Sequence, residues 1–137
     1  MKKRLILAVL MAFAGLMIFT ACDGPNSASW RTVAGNVERD LDGGFAIDVR
    51  TASRGTRNRT FELTAAELAA MHITSTSESG QIVLTISQDG NLDGSEIVLD
   101  ISNFEGTVDA TGLNPGNIRL SFQFEEIRNS QTTVSWR

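Results

Sequence analysis

The stretch that decides the fold is Ile118-Arg119-Leu120-Ser121-Phe122-Gln123-Phe124-Glu125. Apolar and polar residues alternate through it without a break, so every second side chain of an extended chain points to the same face. Two of the four apolar residues are phenylalanine, which is favoured in strands. The stretch therefore predicts a β-strand with one face in a core and the other face in water.

The same alternation recurs in other parts of the chain. It covers residues 45–50, 82–87 and 97–102, shorter strands are expected to begin at Trp30 and Ile73, and a last strand is expected over 132–136 after a turn at 129–131. Polar or glycine-containing segments separate these stretches. This spacing predicts a mainly β fold, an antiparallel β-sandwich of about seven to eight strands. One short helix within it and a cleaved signal segment in front of it are expected from the two motifs described below.

The helix is predicted from Thr64-Ala65-Ala66-Glu67, which fits a capping box. In this motif the threonine hydroxyl accepts from the glutamate amide, and the glutamate carboxylate reaches back to the threonine amide. The pattern predicts a helix over residues 65–71.

An arginine-rich segment, residues 50–59, precedes this helix and is predicted to connect two strands. Arg50, Arg54, Arg57 and Arg59 place four positive charges on an otherwise acidic domain. They are interpreted as a solvated loop that balances local acids. The alternative is a patch that binds phosphate or carboxylate groups.

The first 21 residues have the features of an export signal. Lys2, Lys3 and Arg4 precede a stretch without charge, residues 5–19, which is shorter than the roughly 20 apolar residues of a membrane-spanning helix. Cys22 is the only cysteine and therefore cannot form an intrachain disulfide.

Phe19-Thr20-Ala21-Cys22 resembles the lipobox of bacterial lipoproteins, with phenylalanine where leucine is usual. The resemblance implies that Cys22 receives a diacylglyceryl group and further acylation, and that residues 1–21 are removed. The domain would then be anchored by lipid to a membrane of the bacterial cell envelope, outside the cytoplasm. Two alternatives remain, a secretory signal that is cut after Ala21 and an uncleaved anchor helix. The lipid anchor predicts that Cys22→Ala releases the protein from the membrane fraction.

Removal of the signal leaves a tether, residues 22–29, and a length that suits one domain, residues 30–137. Three of the twelve basic residues lie in the signal, so nine remain against sixteen acidic residues, a formal charge of −7. This balance argues against nucleic acid as a partner. Extended at 3.3–3.6 Å per residue, the tether holds the domain within roughly 25 Å of the bilayer.

Two segments of the mature chain are similar to small bacterial extracellular domains of the jelly-roll type. Residues 80–86 are a strand after a glycine, and Leu113-Asn114-Pro115-Gly116 is an L-x-P-G turn into the strand that starts at Ile118. The proline and glycine supply the dihedral angles of a type II turn. The resemblance implies a sandwich that binds or assists rather than catalyses.

Asp89-Gly90-Asn91-Leu92-Asp93-Gly94 matches the first half of a calcium loop, in which alternate oxygen ligands surround one cation. The twelve-residue frame puts Asp100 at the closing position. Calcium ligation by Asp89, Asn91, Asp93 and Asp100 is therefore a hypothesis. The alternative is a hairpin loop in which these residues serve turn geometry.

The sequence contains no recognisable catalytic set. His72 is the only histidine, so a transition-metal centre is not expected. No serine lies in a G-x-S-x-G or S-x-x-K motif. Glu125 and Glu126 are neighbours on a strand, so they should face opposite sides. Trp30 and Trp136 are expected to fill the core of adjacent strands; an exposed pair for sugar stacking is the alternative.

We therefore expect a non-catalytic binding or structural module held at the membrane. Its partners would be the membrane through the lipid anchor and an envelope polymer, a glycan or a protein. A calcium-dependent carbohydrate-binding module that uses the 89–100 loop is the second hypothesis, and a hydrolase is the third.

Overall fold

The computed structural model describes residues 28–89 and 95–137, and the surroundings of side chains from Ala34 onward. This part of the chain forms seven strands and one helix, α1. Their bounds are β1 Ala28–Leu41, β2 Gly44–Leu63, α1 Ala65–Ala69, β3 His72–Thr76, β4 Ser79–Gln88, β5 Glu96–Asp100, β6 Phe104–Thr107 and β7 Gly116–Ser135. All strand pairs are antiparallel. The predicted mainly β, antiparallel fold with one short helix is confirmed, whereas the predicted signal segment lies outside the described residues.

Strand β7, which contains the stretch 118–125, lies at the centre of the sheet. On one side it pairs with β2 over its whole length. On the other side its carboxyl-terminal half pairs with β3 and its amino-terminal half pairs with β4. Strand β1 extends the sheet beyond β2, whereas β6 and β5 extend it beyond β3 and β4. The strands predicted to be first and last are therefore not neighbours, because β2 separates them.

The sheet is folded over on itself, as the positions of three aromatic rings show. Phe45 and Phe61 both belong to β2, and a straight strand would place them roughly 50 Å apart at about 3.3 Å per residue. Their ring centroids are only 6.0 Å apart. Phe61 is the strand partner of Ile118, which is near the start of β7. Its ring nevertheless lies 4.7 Å from that of Trp136, which directly follows the end of β7. Both long strands therefore run through the two layers of the sandwich.

The strands bend along one line across the sheet, which we call the fold line. Strand β1 bends at Gly35 (φ 66°), β7 bends at Glu126 (φ 50°) and Asn129 (φ 44°), and Gly80 (φ 91°) is the second residue of β4. The pairing of β2 with β7 keeps one register throughout but leaves out the rung at each of these two residues of β7. The pairing of β4 with β7 shifts register between Ser79 and Gln81, so β7 has one extra residue there. An insertion of this kind bends a strand and increases its twist. The chain between β3 and β4 passes from one layer to the other at the same place.

The two layers enclose one core. The inward residues of the stretch 118–125 are fully buried, as its alternation predicts; they are Ile118, Leu120, Phe122 and Phe124. The Phe122 ring lies 6.3 Å from Phe124 on its own strand and 6.0 Å from Phe45, which belongs to the opposite layer. Contacts of this kind contribute dispersion energy beyond the burial of their area. The aromatic cluster therefore holds the folded-over layers together.

Two segments that were predicted to connect strands lie inside strands, and one strand was not predicted. Residues 50–59 form the middle of β2 and not a connection, and residues 129–131 lie within β7 and not in a turn between two strands. Strand β6 was not predicted at all. The first two errors have one cause, since polar residues accumulate where a long strand crosses the fold line.

The capping box at the start of α1 is confirmed. The Thr64 amide donates to the Glu67 carboxylate at 2.9 Å, and the Glu67 amide donates to the Thr64 hydroxyl at 3.2 Å. The bond from the Thr64 amide holds the pKa of Glu67 below its ordinary value. The stabilisation by this carboxylate is therefore present at neutral pH and is lost as the pH falls through the lowered pKa. The helix ends at Ala69, two residues before the predicted end.

Thr64→Ala is expected to lower the free energy of unfolding by about 1 kcal/mol, because it removes the side-chain acceptor at the start of the helix. Urea denaturation measures this loss. Thr64→Ser keeps the hydroxyl and is the matched control, which should stay close to the wild type. Equal losses in both variants would contradict a role for the hydroxyl.

Candidate functional site

A polar pocket opens to solvent on the fold line. Its volume is about 310 Å³. Four neighbouring strands, β1, β2, β7 and β3, supply its walls. The lining residues are Gly35, Asp48, Val49, Arg50, Thr76, Asn129, Ser130 and Gln131. We call it the fold-line pocket.

Strand register brings the polar groups of this pocket together. Asp48 is the strand partner of Gln131, and Gln131 is the partner of Thr76 on its other side, so the three residues form one row across the sheet. Gly35 is needed beside this row for two reasons. Its φ of +66° is in the left-handed region, and a Cβ there would lie 2.8 Å from the Cβ of Arg50.

The floor of the pocket is held by hydrogen bonds, whereas its rim is open. The buried Ser130 hydroxyl donates to the carbonyl of Val49 at 3.3 Å. Two residues further along β7, the buried hydroxyl of Thr132 lies 2.8 Å from that of Ser75. Fully satisfied buried groups of this kind make the floor rigid.

The rim combines donors and acceptors. The Asp48 carboxylate accepts from Arg39 at 3.0 Å, and the Asn129 amide donates to the Glu78 carboxylate at 2.8 Å. Arg50 and Gln131 are exposed beside them. A guanidinium group, carboxamide groups, a carboxylate and a hydroxyl can therefore be reached from one recess. Such a set suits a ligand that offers several hydroxyl groups.

A smaller recess of about 180 Å³ lies next along β2 and β7. It is lined by Thr51, Ala52, Ser53, Glu126, Ile127 and Arg128. Glu126 has a positive φ of 50°, which costs a residue with a Cβ roughly 1–2 kcal/mol. Residues held in such conformations are found at bends and at ligand sites. Here the bend accounts for the conformation, and it also shapes this recess.

The four arginines of 50–59 do not form one patch. Arg54 is exposed and lies 3.6 Å from Glu125. Arg57 and Arg59 point between the two layers, where both contact Glu38, at 2.6 and 3.6 Å. The balancing of local acids is thus confirmed for these three arginines, although in a strand and not in a loop. Arg50 is the member that lines the fold-line pocket.

The pairing of β4 with β5 contradicts the prediction that Asp100 closes a calcium-binding loop. Asp100 is paired with Val83. This pair is four rungs, or roughly 13 Å, along the strands from the pair of Ser87 and Glu96, which borders the loop. The hydroxyl of Ser102 donates to the Asp100 carboxylate and lowers its pKa. At the other end of the loop, Asp89 pairs with Arg119 at 2.7 Å.

Ligation by the remaining loop residues stays a prediction. Asn91 and Asp93 lie outside the described residues, as does Cys22. Within 28–89 and 95–137, no three histidine, cysteine, aspartate or glutamate side chains are grouped to hold a metal ion. No helix in those ranges is long and apolar enough to cross a membrane.

Two further expectations have structural outcomes. Trp136 is buried with 7% exposure, so it fills the core and is not exposed for sugar stacking, while the side chain of Trp30 is outside the described part. Glu125 and Glu126 do not follow strict alternation. Both are exposed, because the bulge at Glu126 interrupts the period of two.

An apolar recess of about 350 Å³ lies at the end of the sandwich away from the fold line. It is formed between α1 and the segment that follows β6. Its lining residues are Ala65, Leu68, Ala69, Val108, Asp109, Ala110, Thr111, Leu113 and Pro115. Neither this recess nor the fold-line pocket was predicted, since both depend on contacts between distant segments.

No family model matches the chain, and neither does any curated protein. Similar solved structures include the enzymatically active domain of tailspike protein 4 of bacteriophage CBA120, at 14% identity and a TM-score of 0.44. That match covers 80% of this chain but only 18% of the tailspike chain, so this chain spans about a fifth of its length.

Two carbohydrate-binding modules are also similar. TmCBM61, solved with beta-1,4-galactotriose, has 14% identity and a TM-score of 0.40 over 67% of either chain. The family 11 module of the cellulosomal cellulase Lic26A-Cel5E of Clostridium thermocellum has 12% identity and a TM-score of 0.36, covering 85% of this chain and 88% of that one. Similarities at this level do not bear on function.

Proposed function

We propose that this protein is a lipid-anchored, non-catalytic binding module of the bacterial cell envelope, and that it binds a glycan of the envelope in the fold-line pocket. The observation that carries the proposal is the meeting of Asp48, Arg50, Thr76, Asn129 and Gln131 in one open recess. These side chains come from three different strands whose register places them together.

The chemistry of the pocket supports a polyhydroxylated ligand. Sugar hydroxyls donate and accept hydrogen bonds, and groups of both kinds line the pocket. An apolar small molecule would find few apolar surfaces there. The acidic balance of the mature chain also disfavours a polyanion such as nucleic acid.

Membrane attachment is the second part of the proposal and is supported by the sequence. Phe19-Thr20-Ala21-Cys22 resembles a lipobox, and Cys22 is the only cysteine of the chain. Two or more acyl chains, at about 0.8 kcal/mol per buried CH₂, make such anchoring stable. The glycan site would therefore be held beside the bilayer.

Arg50→Ala and Gln131→Ala are each expected to weaken glycan binding about tenfold, the effect of losing roughly 1.4 kcal/mol of hydrogen bonding to the ligand. The measurement is calorimetric titration of the soluble Cys22→Ala protein with peptidoglycan fragments and neutral oligosaccharides. Arg54→Ala and Gln123→Ala are the matched controls, because both residues are exposed and neither lines the pocket.

The pocket assignment fails if both pocket variants bind as tightly as the wild type. Repeating the titration with calcium and with a chelator tests the alternative site in the 89–94 loop. A requirement for calcium, together with unchanged binding by the pocket variants, would favour that alternative.

A further inference from the structure

We propose that the glycan bound in the fold-line pocket is anionic, and that Arg50 and Arg128 together bind its carboxylate or phosphate group. The inference rests on the proposed function and names the class of glycan that this site takes. It starts from the arginines of the described residues that have no carboxylate partner, which are neighbours on the fold line.

Most arginines of the domain are neutralised within the fold. Among the residues whose side chains the structure describes, ion pairs with carboxylates are formed by Arg39, Arg54, Arg57, Arg59, Arg119 and Arg137. In the same part of the chain Arg50 and Arg128 form none, although acidic residues outnumber basic ones. Both side chains are exposed. Their guanidinium groups are therefore available to an anion from outside the protein.

The bend of the sheet brings both arginines to its outer face. At the fold line β2 exposes two consecutive residues, 50–51, and β7 exposes two consecutive residues, 128–129. The residue on either side of each pair is buried. A regular strand would bury one residue of each pair, because neighbouring side chains alternate between faces. The interrupted alternation therefore places Arg50 and Arg128 on the same surface.

Strand register sets the separation of the two arginines. Arg128 is the strand partner of Thr51, the residue that follows Arg50. With about 4.8 Å between strands and about 3.3 Å per residue, the Cα atoms of the two arginines are roughly 6 Å apart. Long side chains on such diagonal neighbours can contact one group between them.

Gly35 restricts the position of the Arg50 side chain. A Cβ on Gly35 would lie 3.2 Å from the Cδ of Arg50 and 3.6 Å from its Cγ. The aliphatic part of Arg50 therefore lies across the backbone of β1, where a larger residue would displace it. This packing orders the side chain before a ligand binds, which reduces the entropy lost on binding.

The arginine pair lies between two recesses. Arg50 lines the fold-line pocket, and Arg128 lines the recess of about 180 Å³ beside it. The carboxylate of Asp48 on the pocket rim is already paired with Arg39. Glu126, in the smaller recess, is exposed, so water and salt screen its charge. An anionic group on the glycan can therefore meet the two guanidinium groups while its neutral hydroxyls occupy the pocket.

The charge of the arginines sets their contacts apart from the other hydrogen bonds of the pocket. Guanidinium groups bind carboxylate and phosphate through two parallel hydrogen bonds, and such bonds are roughly twice as strong as those between neutral groups. We therefore expect the protein to prefer an acidic glycan over a neutral one of the same shape.

Matched ligands that differ only in charge test the proposal. The soluble Cys22→Ala protein is titrated calorimetrically with an oligosaccharide of uronic acids and with the same oligosaccharide after reduction of its carboxyl groups to alcohols. The acidic form is expected to bind roughly tenfold to a hundredfold more tightly. Arg128→Gln should remove most of this preference. Arg54→Gln changes an exposed arginine outside both recesses and is the control, which should keep the preference.

A third ligand distinguishes the two anionic groups. It is the reduced oligosaccharide with phosphate on the alcohols that reduction creates. If this form binds more tightly than the uronic acid form and loses affinity in Arg128→Gln, phosphate is the group that the arginine pair binds. The reverse order identifies carboxylate.

The outcomes separate this inference from the function on which it rests. Equal binding of the three forms, or a preference that Arg128→Gln does not change, overturns the anionic ligand. If Gln131→Ala still weakens binding in that case, the proposed glycan pocket stands with a neutral ligand. If none of the three forms and no peptidoglycan fragment binds, the proposed function fails together with the inference.

Discussion

Gly80→Ala is expected to destabilise the protein by roughly 2–5 kcal/mol, as measured by urea unfolding. Gly80 has a φ of +91°, where a side chain costs about 1–2 kcal/mol. A Cβ there would also lie 2.4 Å from the carbonyl oxygen of Glu126 and 2.5 Å from that of Glu125. These are backbone atoms of the central strand, so relief of the clash requires β7 to move at the fold line. Overpacking of this kind adds a further 1–3 kcal/mol.

Gly112→Ala is the matched control, because Gly112 has a similar positive φ without the close contact. Its φ is +98°, and the nearest atom to a Cβ would be 3.7 Å away. This variant should therefore lose only the cost of the left-handed conformation, about 1–2 kcal/mol. If the two variants lose equal stability, the approach of β4 to β7 does not limit the residue at position 80.

Much of the fold could be predicted because alternation is a local signal. Residues 118–125 are on the expected faces, and the capping box at Thr64 needs only four residues to be recognised. The fold line was missed because its residues resemble loops. Asn129 suggests a turn, and its positive φ does bend the chain, but the strand continues in the same sheet. Alternation alone cannot distinguish a bend from a reversal.

The candidate site was harder to predict, since it depends on register between distant segments. Arg50 was singled out from its charge, whereas Asp48, Thr76 and Gln131 meet only because β2, β7 and β3 are neighbours. A local signal did exist for the partly buried arginines. Arg57, Arg59 and Phe61 are each two residues apart, so in a strand their side chains lie on the same face. The alternation of a strand therefore continues through the segment that was predicted to be a loop.

Glu38→Ala is expected to lower the free energy of unfolding by about 3 kcal/mol, the second large effect. Glu38 lies 2.6 Å from Arg57 and 3.6 Å from Arg59, whose side chains are only 12% and 17% exposed. The Arg59 guanidinium also lies 4.6 Å from the centre of the Phe45 ring. Without Glu38 these arginines lose their shared counter-charge in a space that water reaches poorly. Urea denaturation at neutral pH measures the loss.

A triple variant, Glu38→Leu with Arg57→Leu and Arg59→Met, separates charge from packing. Replacement of a whole buried ionic group by apolar side chains of similar volume is often neutral, so the triple variant should regain most of the stability lost by Glu38→Ala. Asp40, the other partner of Arg59, is 72% exposed and stays hydrated. Arg39→Ala, which breaks an exposed ion pair, should cost under about 1 kcal/mol. If Glu38→Ala loses no more stability than Arg39→Ala, the ion pairs of Glu38 with Arg57 and Arg59 behave as surface pairs and do not join the two layers.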